Sequence, residues 1–494
     1  MSMQNTLESI YDHHKKISTL DSISNVLYWD FETMMPKNSS QLRSDQLSYL
    51  NAAAHNLRTN ASYVDNVMSL DIKSLATPED QRHITKLKKS LARALCIDEA
   101  FVKRLTDVSL KCHEKWKAAR EASSFALVKN DLTELVGLQR EFAVRARDFA
   151  ALKPYYQGKS AYEVLIDEYE PGISSEYLRT SLKHLVESTN ALLPEIEAKQ
   201  KSQTAPKPIA LPTDDQHKIV LKVAHALGFD FTRGRIDKSV HPFCGGHPND
   251  TRMTTRYRED DATDAVWSTI HEAGHALYEQ NLPPRLLGLP CGSAASMGVH
   301  ESQSRFYENQ IAKSLPFCQW IAPDFGVSPQ ELYAILNRVQ KSFIRVDADE
   351  VTYNLHVYLR FELEERLIEG KLAVADLEDA WNAEFLKTFG MSPATPLQGV
   401  LQDTHWYGGA FGYFPTYSLG NLLAAELFAK YQAQFPDWQD LVRQGSFVHI
   451  REFMNKNVHS LAALDDSPAT MQKILGGKLP NPDTLVTYFR AKFL

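Results

Sequence analysis

Cysteine is scarce in this sequence of 494 residues. The five cysteines lie far apart and include no C-x-x-C pair; they are Cys96, Cys112, Cys244, Cys291 and Cys318. An odd, scattered set argues against a disulfide framework and against a cysteine metal site, and it is typical of a reducing compartment. The first residues, MSMQNTLESIYDHHKK, contain no apolar run of the kind found in signal peptides. We therefore expect a cytoplasmic protein.

Long apolar runs and charge tracts are also missing. No stretch of 18 or more apolar residues is present, so we expect no membrane span. The net charge is −7, from 54 basic and 61 acidic residues, and neither sign is concentrated in a tract or tail. This balance gives no electrostatic reason to expect nucleic acid or an anionic membrane as a partner.

The pattern of apolar residues predicts a mainly helical chain. In the first 200 residues apolar side chains recur every three or four positions, as at Leu135, Leu138 and Phe142. The proline-containing stretch 199–212 predicts a loop, and short alternation in 229–260 predicts a small antiparallel sheet. We therefore expect an all-α fold with a minor sheet. It would form a single domain with an N-terminal helical lobe, residues 1–204, and a second lobe, residues 205–494.

The segment WSTIHEAGHALYEQ, residues 267–280, carries the clearest chemical signal. Acidic residues before it favour a helix start, with Thr263 as a candidate cap, and two prolines after it end the helix. Spacing of four residues puts His271 and His275 side by side on one face, where both imidazoles reach one metal ion. Glu272 is one position round the helix, placed as a general base for a metal-activated water.

A catalytic metal site of this kind needs a third protein ligand. The segment SAASMGVHESQSRFYENQ, residues 293–310, offers Glu301 and its neighbour His300 as rivals. Arg305 is one helical turn beyond Glu301 and is placed to hold that carboxylate. Spacing alone leaves both choices open, and an exposed Glu301 paired with Arg305 would be the simple structural alternative.

Six short motifs occur in order along the chain. They are His241-Pro242-Phe243; Asp250, Arg252 and Thr254; His271 to His275; His300 to Gln303; Ile344, Arg345, Ala348 and Asp349; and Gly399, Gln402, Asp403, His405 and Trp406. Together with LYWDFETMMP (27–36) and YEPG (169–172), they make almost the whole chain resemble the M32 (carboxypeptidase Taq) metallocarboxypeptidases.

The resemblance implies a two-lobed helical body with a deep groove, similar to neurolysin and angiotensin-converting enzyme. It implies removal of single residues from peptide C-termini with broad preference, and commonly a homodimer. It also implies zinc, or another divalent ion such as cobalt, held by His271, His275 and Glu301, with Glu272 as the base.

A carboxypeptidase must recognise a terminal carboxylate, which suits the planar fork of arginine. Arg345 is the stronger candidate for this clamp, and Arg252 the weaker. Each has a structural alternative, an ion pair with Asp250 for Arg252 and with Asp347 or Asp349 for Arg345. The segment DTRMTT around Arg252 could instead border the groove and pair with substrate backbone. His241 could line the substrate pocket or cap a loop.

The oxyanion formed during hydrolysis needs a hydrogen-bond donor besides the metal. By analogy with similar metallopeptidases we choose His405 and Tyr413, with Tyr407 and Tyr417 as rivals. Two other functions stay open. The first is an oligopeptidase or dipeptidase with the same metal site, and the second is a helical scaffold without catalysis.

Overall fold

The computed structural model describes residues 3–201 and 206–494. Residues 202–205, where the predicted lobe boundary falls, lie outside the described residues. The loop was predicted for residues 199–212. Helix continues to Lys201, and the irregular backbone that the structure describes occupies 206–212. In the described chain no helix is long and apolar enough to cross a bilayer.

The first part of the chain is a succession of helices with well-defined starts. The side chains of Thr77, Asp98 and Ser160 each accept a hydrogen bond from the backbone of the helix that follows. The helices are α1 (Met3–Thr33), α2 (Ser40–Arg58), α3 (Ala61–Ser69), α4 (Pro78–Leu95), α5 (Glu99–Glu121), α6 (Lys129–Asp148), α7 (Lys153–Tyr156), α8 (Ala161–Ile166) and α9 (Ser175–Lys201).

A three-stranded sheet then interrupts the helices. Its strands are β1 (Gly234–Lys238), β2 (Cys244–His247) and β3 (Asp250–Thr255), with β3 in the middle. The small sheet predicted for this region is present, but it is mixed, because β1 pairs with β3 in parallel and only β2 is antiparallel. Since both edges of β3 are occupied, the segment DTRMTT is not free to pair with a substrate, contrary to the alternative raised above. The edge strands are β1 and β2.

The rest of the chain returns to helices. They are α10 (Thr213–Leu227), which precedes the sheet, and then α11 (Ala262–Gln280), α12 (Met297–Arg305), α13 (Leu315–Phe325), α14 (Pro329–Leu336), α15 (Tyr353–Ile368), α16 (Leu377–Phe389), α17 (Pro415–Gln434), α18 (Trp438–Arg443), α19 (Val448–Asn457), α20 (Ser467–Leu475) and α21 (Pro482–Phe493). A π-helix, Phe306–Ala312, directly continues α12. The all-α class with a minor sheet is confirmed.

Two groups of buried apolar residues stabilise this fold. A small one, which includes Leu7, Val67 and Leu87, joins α1, α3 and α4. The main core begins at Ala92 and includes residues before and after position 204. The N-terminal helices α1–α4 therefore form a module with its own core, while the division into lobes at 204 stays a prediction.

Candidate metal centre

Helix α11 presents two histidines to the centre and buries its opposite face. Its cap is the side chain of Asp261, which accepts from the backbone of Thr263, so the prediction of Thr263 as the cap was wrong. An apolar stripe along α11, which includes Val266, Ile270 and Leu277, is fully buried. Burial of this stripe in the main core fixes the rotation of α11, and that rotation points the two imidazoles away from the core.

His271, His275 and Glu301 converge. Their nearest ligand atoms all lie within 4.8 Å of one another. Oε2 of Glu301 is 3.8 Å from Nε2 of His271 and 3.4 Å from Nε2 of His275. The three side chains come from two helices, because α12 packs against α11 and brings Glu301 to the histidines.

Each imidazole is held by a partner on its other nitrogen. Nδ1 of His271 is 2.8 Å from Oε2 of Glu308. Nδ1 of His275 is 2.5 Å from Nδ1 of His300, whose Nε2 is 2.9 Å from Oε1 of Glu279. This network assigns the Nδ1 protons to the two candidate ligands and leaves both Nε2 lone pairs for a metal. His300, the rival ligand, contacts His275 from behind instead.

The charge states also fit a divalent cation. Burial lowers the pKa of His275 to about 3, which keeps this imidazole neutral, as a ligand must be. Burial would raise the pKa of Glu301, but Arg305 and His271 hold it well below its ordinary value. Nε of Arg305 donates to Oε1 of Glu301 at 2.6 Å, as predicted for that pair. Burial would lower the pKa of His271, but Glu301 and Glu308 raise it above its ordinary value, so this imidazole has to release a proton when a metal binds. Two imidazole nitrogens and one carboxylate are then a donor set that suits zinc and several other divalent ions.

Glu272 lies beside this triad and is 7% exposed. Burial raises its pKa to about 7, with the neighbouring His271 acting in the opposite direction. Its side chain lines the same cavity as the three candidate ligands. A carboxyl group in this setting is suited to exchange protons near neutral pH.

A cavity of about 880 Å³, here called the catalytic cavity, surrounds the triad. Its lining includes Pro242, Phe243 and Cys244, and also Arg345, Tyr413 and Tyr417. Its volume and mixed lining are typical of a site for a peptide or other small ligand.

Arg345 is buried, yet it lines this cavity. Its ion pair is with Asp403, at 2.8 Å, and not with Asp347 or Asp349, the two partners considered from sequence. Nη1 also donates to the hydroxyl of Tyr353 at 2.8 Å. Asp403 in turn pairs with Arg360 at 2.5 Å, so two guanidinium groups share one carboxylate.

Two of the predicted substrate-binding residues do not line the catalytic cavity. Arg252 forms an ion pair with Asp250 at 2.7 Å and lies over the ring of Trp29 at 4.5 Å. His241 is exposed in the loop before β2. The structural alternative for Arg252, a pair with Asp250, is therefore the one that the fold contains.

The four candidates for the oxyanion donor lie at different distances from the catalytic cavity. Tyr413 and Tyr417 line the catalytic cavity. His405 does not; its Nε2 is 3.3 Å from the hydroxyl of Tyr417. Tyr407 is fully buried in the core and donates to the carbonyl of Val400, so it is removed from the site.

Sequence reasoning missed several residues that build this centre. Glu308, Glu279 and Tyr353 contact the candidate ligands or their partners. Glu279 could have been found, because it continues the spacing of four set by His271 and His275 along α11. Glu308 lies seven residues after Glu301 and hence on a similar face, but the π-helix between them makes its direction unpredictable from period alone.

An H-E-x-x-H helix with a glutamate supplied by the next helix defines the class, a metallopeptidase. The chain belongs to the family described as carboxypeptidase Taq (M32) metallopeptidase, whose model matches residues 9–493. It is therefore a member of a family of carboxypeptidase hydrolases.

Relatives of this family match the chain over almost its whole length. Carboxypeptidase 1 of Bacillus subtilis is 33% identical, over 98% of this chain and 97% of the relative. Thermostable carboxypeptidase 1 of Thermus thermophilus is 31% identical, over 100% and 99%. Among solved structures, metallocarboxypeptidase 1 of Trypanosoma cruzi has a TM-score of 0.94 at 30% identity, with 100% of both chains covered. An M32 carboxypeptidase from Deinococcus radiodurans has a TM-score of 0.92 at 31% identity, with 99% of both chains covered.

Proposed function

We propose that this protein is a zinc-dependent carboxypeptidase that releases single amino acids from peptide C-termini with broad preference. The observation that carries the proposal is the convergence of His271, His275 and Glu301, with Glu272 beside them, in one large cavity. Cobalt or another divalent ion would also suit this donor set. When bound, the ion would supply a Lewis acid that polarises the scissile carbonyl and acidifies water.

Arg345 would bind the terminal carboxylate of the peptide. Arg345, Arg360 and Asp403 carry a net charge of +1, and Arg345 is the member that lines the cavity. Asp403 and Tyr353 fix its guanidinium, which leaves further N–H groups for a second carboxylate. A fixed fork of this kind would place the last peptide bond beside Glu272 and the triad.

Glu272 would take a proton from the attacking water and return it to the leaving amine. Tyr413 would donate a hydrogen bond to the developing oxyanion, with Tyr417 as the alternative. Burial raises the pKa of both phenols, so each keeps its proton at neutral pH. His405 would act through Tyr417, by orienting its hydroxyl.

A pair of peptides tests the reaction. The protein should release free amino acids from a peptide with a free C-terminus, and a C-terminal amide should be cleaved at least tenfold more slowly, because Arg345 then has no carboxylate to bind. Equal rates would favour an internal oligopeptidase or dipeptidase.

Glu272→Gln should keep the bound metal, measured by elemental analysis, and lose turnover. Absence of both metal and turnover in the unaltered protein would favour a scaffold.

We also propose a homodimer in the cytoplasm. Helix α2 buries only Ala54 and exposes Leu42 and Tyr49, at 60% and 75%, which supports an interface there. All five cysteines are free, which suits a reducing compartment. Sedimentation of the protein should give a dimer mass, and Leu42→Glu with Tyr49→Glu should give a monomer mass.

A further inference from the structure

A second large cavity lies apart from the metal centre, in the C-terminal part of the fold. Its volume is about 590 Å³, and helices α13, α14, α17, α18 and α21 contribute to its wall. None of the described residues that line it also lines the catalytic cavity, and we call it the distal cavity. Its volume is in the range of sites that bind small organic molecules.

Aromatic rings form much of the wall of the distal cavity. The rings of Phe428 and Trp438 meet edge to face, with their centroids 5.2 Å apart. Phe428 meets Tyr488 in the same way, at 5.9 Å, and Tyr333 lines the cavity as well. A wall of this kind favours a ligand with a flat apolar ring, which can stack on these rings or meet their edges.

Gln310 brings a polar side chain without a partner to this aromatic wall. It is 3% exposed, and its Oε1 is buried without a hydrogen-bond partner within the described chain. An unpaired buried amide costs stability, and folded proteins seldom keep one without a use. A half-turn of the amide exchanges its oxygen and its nitrogen, so either can face a ligand. Since the group carries both an acceptor and donors, it suits the amide or lactam edge of a ligand.

The charges around the distal cavity favour an uncharged ligand. Among the described lining residues the cationic side chain is Lys492, and its Nζ already donates to Glu350, to the hydroxyl of Tyr488 and to the carbonyl of Asn309. No N–H of this ammonium group is left for a carboxylate. Lys492 also lies over the ring of Tyr488 at 5.3 Å, where it opposes a second cation. The acidic lining residue, Asp483, is exposed to solvent.

The π-helix after α12 separates the two cavities. Glu308 in this segment lines the catalytic cavity, and Gln310 lines the distal cavity. Short π-helical segments are frequent at functional sites. We propose that the distal cavity is a second binding site, for an uncharged aromatic carboxamide or lactam, with its ring against the aromatic wall and its amide paired with Gln310. This inference does not depend on the proposed carboxypeptidase function.

Benzamide and benzoate test the proposal, because they share one shape and differ in charge. A titration followed by ligand-observed NMR, with the protein as purified, measures each Kd. A molecule as small as benzamide should bind with a Kd of about 1 mM. Benzoate should bind about tenfold more weakly or worse, because Lys492 has no free N–H for its carboxylate.

Gln310→Met keeps the length of the side chain and removes its amide. It should weaken the binding of benzamide about tenfold, as expected for the loss of one or two hydrogen bonds. Ala429→Trp, at an exposed position of the wall on α17, should fill the cavity and cause a similar loss. It serves if Gln310→Met does not fold. Ala118→Trp, at an exposed position of α5 outside the cavity, is the matched control and should leave the Kd unchanged.

Three results would overturn the proposal. The first is an unchanged Kd for benzamide in a folded cavity variant, which would mean that benzamide binds elsewhere. The second is equal affinity for benzamide and benzoate, and the third is no binding of benzamide to the unaltered protein. None of these measurements involves peptide cleavage, so the proposed function is tested separately.

Discussion

At the scale of single residues, Glu308 connects the candidate ligands to their surroundings. Its carboxylate accepts from His271 at 2.8 Å, from Arg305 at 3.2 Å and from Lys313 at 3.2 Å. Arg305 also binds Glu301, so one carboxylate outside the triad orients two of its three members. Partners of this kind fix the direction and the basicity of a ligand without touching the metal.

Glu308→Ala should therefore weaken metal binding by about 10- to 100-fold. Glu308→Gln keeps an acceptor oxygen but loses the charge, and it should cause a smaller loss. Titration with a competing chelator measures the affinity directly. Glu134→Gln, which removes an exposed partner of Arg104, is the control and should not change it. Metal affinity unchanged in Glu308→Ala would exclude an orienting role.

Arg345→Lys keeps the positive charge but removes the planar fork. We expect KM for peptides with a free C-terminus to rise about tenfold or more, since a point charge replaces a bidentate contact. Hydrolysis of the matching amides should change much less. Arg252→Lys, outside the catalytic cavity, should leave the selectivity for free carboxylates intact. A parallel loss on acids and amides would show that Arg345 acts only by supporting the fold.

Single residues also show which parts of the site can be predicted from the sequence. Spacing alone brought His271, His275 and Glu272 together, because these positions share one helix. The partner of Arg345 could not be predicted, since Asp403 is 58 residues away and meets it only through tertiary packing. Local candidates such as Asp347 and Asp349 are favoured by proximity in sequence, which does not decide contacts between separate elements.

At the scale of helices, the centre depends on close contact between α11, α12 and α17. A Cβ atom at Gly274 of α11 would lie 2.6 Å from Cα of Ser304 in α12. One at Gly420 of α17 would lie 2.7 Å from Cβ of Glu301. Glycine at these two positions lets the helices approach until Glu301 meets the histidines.

Gly274→Ala should lower the free energy of unfolding by about 1–3 kcal/mol, because backbone of α12 has to move. The same movement should displace Glu301 and weaken metal binding. Gly137→Ala is the matched control, since this exposed position in α6 has no heavy atom within 4 Å of the added methyl group. That change should stabilise the protein by about 0.5–1 kcal/mol. Thermal unfolding with and without added metal measures both effects. If Gly274→Ala and Gly137→Ala change the free energy of unfolding and the effect of added metal equally, the close contact at Gly274 does not matter.

The sequence predicted which segments form helices and strands, but it did not predict how the strands pair. The period of apolar residues identified α6, because one face of this helix is buried in the main core. The acidic residues before α11 and the prolines after it identified that helix. The strands were expected to be antiparallel, yet β1 lies parallel to β3. The order of strands this short is decided by the helices that cover them, which local alternation does not record.

At the scale of the whole molecule, Glu170 joins three distant parts of the chain. It is fully buried, and it accepts from the backbone of Gly298 at the start of α12 and from Ser467 at the start of α20. Burial raises its pKa to about 7, against which these hydrogen bonds act only in part. The carboxyl group therefore holds a proton in the folded protein at pH values where it would ionise in the unfolded chain.

This difference makes stability depend on pH. A folded-state pKa above the unfolded value of 4.5 means that the stabilisation is complete below about pH 4.5 and is lost as pH rises toward 7. Glu170→Gln has the same shape and no charge, and its amide can donate to Ser467. From pH 5 to pH 8 its free energy of unfolding should therefore gain roughly 1–3 kcal/mol relative to the unaltered protein. Denaturant unfolding at both pH values measures this change. If the difference in free energy of unfolding between Glu170→Gln and the unaltered protein does not change with pH, Glu170 titrates as it does in the unfolded chain.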